Sequence, residues 1–291
     1  MKVVTTVKEL HRELGKVIFH PVGLVPTMGA LHEGHLSLVM NAIKECETVI
    51  VSIYVNPEQF NDKEDLKNYP RNTEKDLGML QGVLRENDLV FMPPDKEIYP
   101  EKDTRIFNFG NLDNVMEALH RPGHFNGVAK VVSRLFELTN PDISYFGIKD
   151  FQQVAVVKAL VKQCGFNIRI SANPVVREAD GLAMSSRNQL LEPLIRDQAP
   201  VIYQTLRKVS SMMKEKDIPD IKNFVRNNIE NHKDFEIEYF EIVDDVELIP
   251  VSRRKEIKTD RRYYGCIAVK AGKIRLIDNI EIGLPGIKKD N

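Results

Sequence analysis

Gly23-Leu24-Val25-Pro26-Thr27-Met28-Gly29-Ala30-Leu31-His32-Glu33-Gly34-His35-Leu36 opens as a short apolar run that ends at a proline, then turns on a glycine and enters helical spacing. Leu36, Val39, Met40 and Ile43 recur at the intervals of one helix face, so the order is strand, glycine turn, helix. In that order the free N–H groups of the first helical turn and the positive end of the helix dipole point out of a sheet's carboxyl edge, where phosphate binds. His32 and His35, three apart at the helix start, add donors that are neutral or charged near pH 7. The N-terminal half is therefore a candidate ATP site. Zinc is another reading of His-x-x-His, but metalloprotease helices place their histidines four apart with a third ligand, and no cysteine or histidine partner lies at metal spacing here. Either histidine alone would be an ordinary surface or capping residue, which is the expectation for His11, His20 and His232.

Outward from this segment, apolar runs such as Val49 to Val55 and Asp88 to Met92 alternate with helical patterns such as Glu74 to Arg85 and Phe151 to Lys162. Alternation of this kind, continued to about Val176, predicts a parallel sheet wound with helices. Beyond Glu192 the pattern changes. One long helix is predicted over Leu194 to Lys214 and a second over Ile221 to Asn231, followed by strands at Phe235 to Val243 and Cys266 to Lys270. That reads as a separate α+β module, with Asn173 to Asn188 as the connection. A connection that long is usually functional.

The chain has 291 residues, 42% hydrophobic and 29% charged, which suffices for a large core and by length most often means two domains. No run reaches the ~18 apolar residues of a membrane helix, and the first residues lack the apolar core of a signal peptide, so a cytoplasmic location is expected. Cys46, Cys164 and Cys266 are odd in number, far apart and in apolar contexts, which favours buried thiols over disulfides or a metal site. A formal net charge of −1 gives no overall pull toward nucleic acid or anionic membrane, and the basic runs at Arg253 to Lys255 and Arg261-Arg262 read as a solvated face.

Other motifs fall where such a sheet gathers its loops. Asn56-Pro57-Glu58-Gln59-Phe60 follows a strand directly, so the amides of Asn56 and Gln59 could recognise a small polar substrate; a plain Asn-Pro turn is the alternative. Tyr145 to Gln153 runs from strand into helix and offers Lys149 for phosphate, Asp150 for ribose hydroxyls and an inward glutamine for substrate. Asp150 could equally cap the helix. In Gly181 to Asn188, small residues allow close backbone approach while Ser185, Ser186 and Arg187 provide donors for phosphate oxygens, unless the stretch is only a linker. Arg121-Pro122-Gly123-His124-Phe125-Asn126-Gly127-Val128 could form a pocket wall or merely a turn.

Taken together the motifs resemble the pantoate–β-alanine ligase family of the nucleotidyltransferase superfamily over nearly the whole chain. Those that carry the likeness are Pro-Thr-Met-Gly-Ala-Leu-His-Glu-Gly-His at 26 to 35, Asn-Pro-x-Gln-Phe at 56 to 60, Tyr-Pro-Arg at 69 to 71, Arg-Pro-Gly-His-Phe at 121 to 125, Lys-Asp-Phe-Gln-Gln at 149 to 153, Met-Ser-Ser-Arg-Asn at 184 to 188 and Arg-Leu-Ile-Asp-Asn at 275 to 279. One departure is Ile148, where the family commonly has glutamate.

The resemblance implies an α/β fold: a Rossmann-like, doubly wound parallel sheet over residues 1–176 that binds ATP and pantoate, and a smaller α+β lid over 177–291. It implies that ATP and (R)-pantoate give a pantoyl adenylate, which β-alanine opens to pantothenate and AMP. His32, His35, Lys149, Ser185, Ser186 and Arg187 are then the expected catalytic residues. ATP would lie along Met28, Gly29, Ala30, Leu31, His32, Glu33, Gly34 and His35, along Gly147, Ile148, Lys149 and Asp150, and against Val176, Met184, Ser185, Ser186 and Arg187. Gln59, Gln153, Asn56 and Arg121 are expected to meet pantoate or β-alanine, and Asp76 to touch Mg²⁺. Asn61 to Arg71 would be a second flap. A homodimer without nucleic-acid or membrane partners is the expected form. A nucleotidyltransferase for a different small acceptor would share the His-x-x-His turn but should show basic acceptor-binding residues where this chain has Gln59 and Gln153; a non-catalytic nucleotide- or tRNA-binding module is the non-enzyme alternative, and the lack of a basic C-terminal domain speaks against it.

Overall fold

The computed structural model describes residues 1–283. Its larger sheet comprises β1 (Lys2–Val4), β2 (Val22–Thr27), β3 (Thr48–Ile53), β4 (Leu89–Phe91), β5 (Ile143–Gly147) and β6 (Arg169–Asn173), in the order β1-β4-β3-β2-β5-β6. Every pairing in it is parallel. The pleat divides its residues between two cores. Leu24, Ile50 and Phe91 pack with the helix His124–Thr139, whereas Val25, Val49, Val51 and Val90 pack with the helix Glu33–Glu45. Cover on both faces is why β2 and β3 read as continuous apolar runs rather than alternating ones. From β2 the chain winds one way through β3 and β4, while β5 and β6 lie on the other side, so strand order reverses between β2 and β5. At such a point the loops leaving the strands' carboxyl ends part and leave a crevice.

The second unit is an antiparallel sheet, β7 (Phe235–Asp244), β8 (Tyr263–Ala271) and β9 (Ile274–Glu281), covered by the helices Val201–Met212 and Ile218–Glu230. Its own core runs from Leu182 to Ile282. The sheet's other face contributes Val243, Tyr264 and Cys266 to the core of the larger unit. Polar ties reinforce that packing. Arg275 grips the buried Glu117 through two 2.8 Å hydrogen bonds, Tyr239 Oη donates to Glu117 at 2.8 Å, and Arg177 holds Asp278 at 2.7 and 2.9 Å. Asn279 donates to the carbonyls of Ile148 and Lys149, at 2.7 and 3.0 Å. The Arg-Leu-Ile-Asp-Asn motif is thus a docking element.

Three expectations are corrected here. The helix predicted over Leu194 to Lys214 is two, Pro193–Gln198 and Val201–Met212, because Pro200 has no N–H to carry the ladder across. Strand β9 escaped prediction because the buried Asp278 and Asn279 interrupt its apolar pattern. Cys164 is exposed at the end of its helix, whereas Cys46 and Cys266 are buried as expected; all are free thiols. Residues 284–291 of the expected lid lie outside the described residues.

Candidate active site

The β2–helix segment forms as its sequence implies, but the turn is tighter than a glycine alone would give. Gly29 and Ala30 are both left-handed, with φ of 75° and 49°. His32 caps the helix Glu33–Glu45, its Nδ1 accepting from the Gly34 N–H at 3.1 Å. A neutral ring bonded in that way carries its proton on Nε2. Gly34 is required by the same contact, since a Cβ there would lie 2.8 Å from His32 Cε1. The His35 ring sits 4.1 Å from that of His32, and its buried Nδ1 has no partner. Burial, helped by Lys149, pushes His32 down to about 4. Burial, with His32 and Lys149 adding to it, holds His35 well below its ordinary value. Both rings are therefore neutral donors at pH 7.

These rings open into a cleft of about 1230 Å³, open mouth included, at the reversal between β2 and β5. Met28, His32, Gly34, His35, Gly147, Lys149, Asp150, Val176, Met184, Ser185, Ser186 and Arg187 line it, together with Gln59 and Gln153. Lys149 Nζ lies 3.8 Å from Asp150. Asp150 begins the helix Phe151–Cys164 without a side-chain capping bond, which leaves its carboxylate for a ligand. Arg187 is held by Asp65 at 2.8 Å and lies over the Tyr69 ring. Ser185 accepts from Arg187 N and so keeps its hydroxyl hydrogen, while Ser186 donates its own to the Ala30 carbonyl at 2.9 Å.

Part of the cleft wall is apolar, formed by Val128, Val131, Val132 and Leu135 of the helix His124–Thr139. That helix approaches Gln59 closely because position 127 is glycine; a Cβ there would fall 2.2 Å from the Glu58 carbonyl oxygen. His124, pushed down to about 4 by burial and by Arg121, is a neutral ring whose Nδ1 lies 2.8 Å from the Gln59 carbonyl. The Arg121 to Val128 motif is thus a helix start that forms a wall and positions a glutamine.

Several predicted site residues are placed otherwise. Gly29, Ala30, Leu31, Glu33 and Ile148 lie outside the cleft lining; Leu31 is buried and Glu33 exposed. Asn56 does not reach the cleft. Its amide donates to Gln59 Oε1 at 3.1 Å and to the Gly127 carbonyl at 3.0 Å, while its oxygen accepts from Tyr99 Oη, so it orients Gln59 instead of meeting substrate. Asp76 is not part of the cleft lining, and both oxygens of its buried carboxylate are engaged by backbone, accepting from Ala30 N at 2.9 Å and Leu31 N at 2.7 Å. Among the described residues no group of three or more His, Cys, Asp or Glu is arranged to hold a metal, which leaves the zinc reading of His32 and His35 without ligands. Arg121 lies in a second, smaller cavity that shares Lys149, Asp150 and Gln153 with the cleft. It is 3.6 Å from Glu117, and burial lowers its affinity for a proton.

Sequence reading missed Asp65, Tyr69, Glu117 and Arg177. Tyr69 stands within a recognised motif without an assigned role; Asp65, Glu117 and Arg177 are charged residues whose partners are far along the chain, so no local pattern marks them.

A family model described as Pantoate-beta-alanine ligase matches residues 2–281. The pantothenate synthetase of Phocaeicola vulgatus is 49% identical over 288 residues, covering 97% of this chain and 99% of that protein. That of Bacteroides thetaiotaomicron is 45% identical over 284 residues, with the same coverage. Among solved structures, the pantothenate synthetase of Thermus thermophilus aligns with a TM-score of 0.88 at 40% identity, over 97% of this chain and 99% of that one. The pantoate-beta-alanine ligase of Francisella tularensis, complexed with beta-gamma ATP and beta-alanine, aligns with a TM-score of 0.75 at 32% identity, over 97% of each chain. With that match spanning nearly its full length, the chain belongs to the pantoate–β-alanine ligase family of enzymes.

Proposed function

We propose that this enzyme condenses (R)-pantoate with β-alanine at the expense of ATP, through an enzyme-bound pantoyl adenylate. The observation that carries the reading is the polarity of the cleft. One set of its lining residues gathers neutral His32 and His35 donors, a helix N-terminus, Lys149 and Arg187; another joins two neutral carboxamides to a valine-rich wall. A polyphosphate suits the first set. Pantoate, with two hydroxyls, a carboxylate and a dimethyl-substituted carbon, suits the second.

In the first half-reaction a pantoate carboxylate oxygen attacks the α-phosphorus of ATP, the bond to the bridging oxygen breaks, and pyrophosphate leaves with that electron pair. Such a step needs alignment and donors for growing charge. His32 Nε2–H and His35 supply donors, Lys149 and Ser185 follow the phosphates, and Arg187 joins them once Asp65 is displaced. Asp150 and the backbone at Gly147 and Val176 hold the nucleoside. Mg²⁺ bound with the phosphates would offset their charge; among the described residues no group of three or more His, Cys, Asp or Glu is arranged to hold a metal.

Gln59 and Gln153 orient the pantoate. Their neutrality matters because a bidentate arginine would stabilise the attacking carboxylate and blunt it. In the second half-reaction the β-alanine amine attacks the acyl carbon and AMP departs. Arg121, in the cavity that meets the cleft at Lys149 and Gln153, is the cation placed for the β-alanine carboxylate. The residues from 177 onward act as a lid that keeps water from the labile anhydride, the flap at 61–71 assists, and the working form is a cytoplasmic homodimer. No helix among the described residues is long and apolar enough to cross a membrane.

Exchange of labelled pyrophosphate into ATP tests the first half-reaction. Exchange that requires pantoate and proceeds without β-alanine is the expected result; exchange that needs β-alanine, or none with pantoate, would exclude a free-standing adenylation step.

A further inference from the structure

We propose that Asp76 is a positioning residue for the histidine pair: its carboxylate fixes the left-handed turn that aims His32 and His35 into the cleft. The inference rests on the adenylation reading above and adds a determinant that lies outside the cleft itself.

The geometry is a carboxylate wrapped by backbone. Asp76 Oδ2 accepts from Ala30 N at 2.9 Å and Oδ1 from Leu31 N at 2.7 Å, with the residue only 2% exposed. Successive N–H groups around an anion form the kind of nest that often receives phosphate; here the protein's own carboxylate fills it. The turn needs such a partner. Ala30 at φ 49° occupies a left-handed conformation that is unfavourable for a residue with a Cβ. Charge-assisted bonds in a buried setting are strong enough to offset that. Gly29 cannot be replaced to relieve it, because a Cβ there would lie 2.9 Å from Asp76 Oδ2.

The next residues of the chain carry the consequence to the histidines. Leu31 is buried, and His32 takes the extended capping conformation with φ −146° immediately after it. The Ala30 carbonyl is fixed from the other side by Ser186. Ala30 is therefore clamped through its N–H by the helix Thr73–Gln81 and through its C=O by the loop that carries Arg187. Release of the first clamp lets the turn relax toward ordinary backbone and swings both imidazoles.

The test is Asp76→Asn, assayed for pantoate-dependent pyrophosphate formation per folded enzyme. A side-chain amide puts one donor against a backbone donor, so kcat should fall by about 10- to 100-fold, the cost of a misplacement on the order of 1 Å, while KM for pantoate changes little. The Mg²⁺ concentration for half-maximal rate should not move, and Ala30→Gly in the same background should recover part of the rate. Should Asp76→Asn not fold, Ala30→Val with Asp76 intact strains the same turn and should show the same kcat loss.

A kcat near wild type in either variant would overturn the proposal. So would a rise in the half-saturating Mg²⁺ concentration with full rate restored at high Mg²⁺, which would make Asp76 a metal ligand. Imidazole NMR signals of His32 and His35 supply a readout that does not depend on the reaction. They should shift in Asp76→Asn even if the wild type made no pyrophosphate with pantoate, a result that would remove the adenylation reading alone.

Discussion

The Asp65 carboxylate and the Arg187 guanidinium form a forked ion pair, with Asp65 Oδ2 at 2.8 Å and Oδ1 at 3.2 Å from the same Arg187 nitrogen. Asp65 belongs to the short helix Lys63–Asn68 and Arg187 to the turn Ser186–Leu190, so the pair ties that helix to the segment that brings Ser185 and Ser186 to the cleft. The anion that Arg187 is expected to serve is thereby replaced by one of the protein's own.

On the proposed reading, ATP competes with Asp65 for the Arg187 guanidinium. Both partners are partly exposed, and such pairs contribute about 0.2–1 kcal/mol. Asp65→Asn should therefore tighten binding of a non-hydrolysable ATP analogue by up to about fivefold in calorimetry, whereas Arg187→Ala should weaken it. Weaker binding by Asp65→Asn would show that the carboxylate serves the nucleotide directly.

The histidine pair predicts an unusual pH profile. With His32 at about 4 and His35 well below 6.5, neither ring gains a proton until the solution is acidic. The acid limb of kcat/KM, which reports the free enzyme, should fall toward pH 4 without an inflection near 6.5. An inflection near 6.5 that His32→Gln or His35→Gln removes would contradict the assignment.

Gln153→Arg tests the neutrality of the pantoate end. The new cation should keep or raise affinity for pantoate and lose turnover, because ground-state stabilisation of the nucleophile is not regained in the transition state. Equal losses of affinity and turnover would count against this account.

Glu117 should dominate the attachment of the second unit. Burial pushes its carboxyl up, but Arg275, Arg121 and the Tyr239 hydroxyl outweigh it and bring it down to about 2. A depressed carboxylate stabilises the fold fully above its unfolded value of 4.5 and loses that contribution as pH falls toward 2. Glu117→Gln should cost about 3 kcal/mol in denaturant unfolding near pH 7, and the difference from wild type should shrink below pH 4.5. A constant difference down to pH 2 would show that the charge is not what matters.

These residues also show what could be read in advance. The strand–turn–helix at Gly23 to Leu36 and the sheet class followed from local periodicity, since burial on both faces leaves a direct trace in composition. Lys149, Asp150 and Gln59 were legible as cleft residues because loops that leave the carboxyl ends of parallel strands converge at one edge, and Arg187 because it stands with two hydroxyls in a stretch of small residues. Pairings were not. Asp76 looked like a free carboxylate because nothing local says that Ala30 and Leu31, more than forty residues earlier, present their N–H groups to it. Asn56 looked like a substrate amide for the same reason, its partners at Gly127 and Tyr99 being supplied by the fold. Likewise the buried Asp278 hid β9 until Arg177 was seen beside it.

The most direct test of the account follows the oxygen. Pantoate labelled with ¹⁸O in its carboxylate, incubated with the enzyme, ATP, Mg²⁺ and β-alanine, should deliver one ¹⁸O to the phosphate of AMP and none to pyrophosphate, because the carboxylate oxygen that attacks the α-phosphorus stays with it. Unlabelled AMP, or label in pyrophosphate or orthophosphate, would contradict the pantoyl adenylate and the roles assigned to His32, His35 and Arg187.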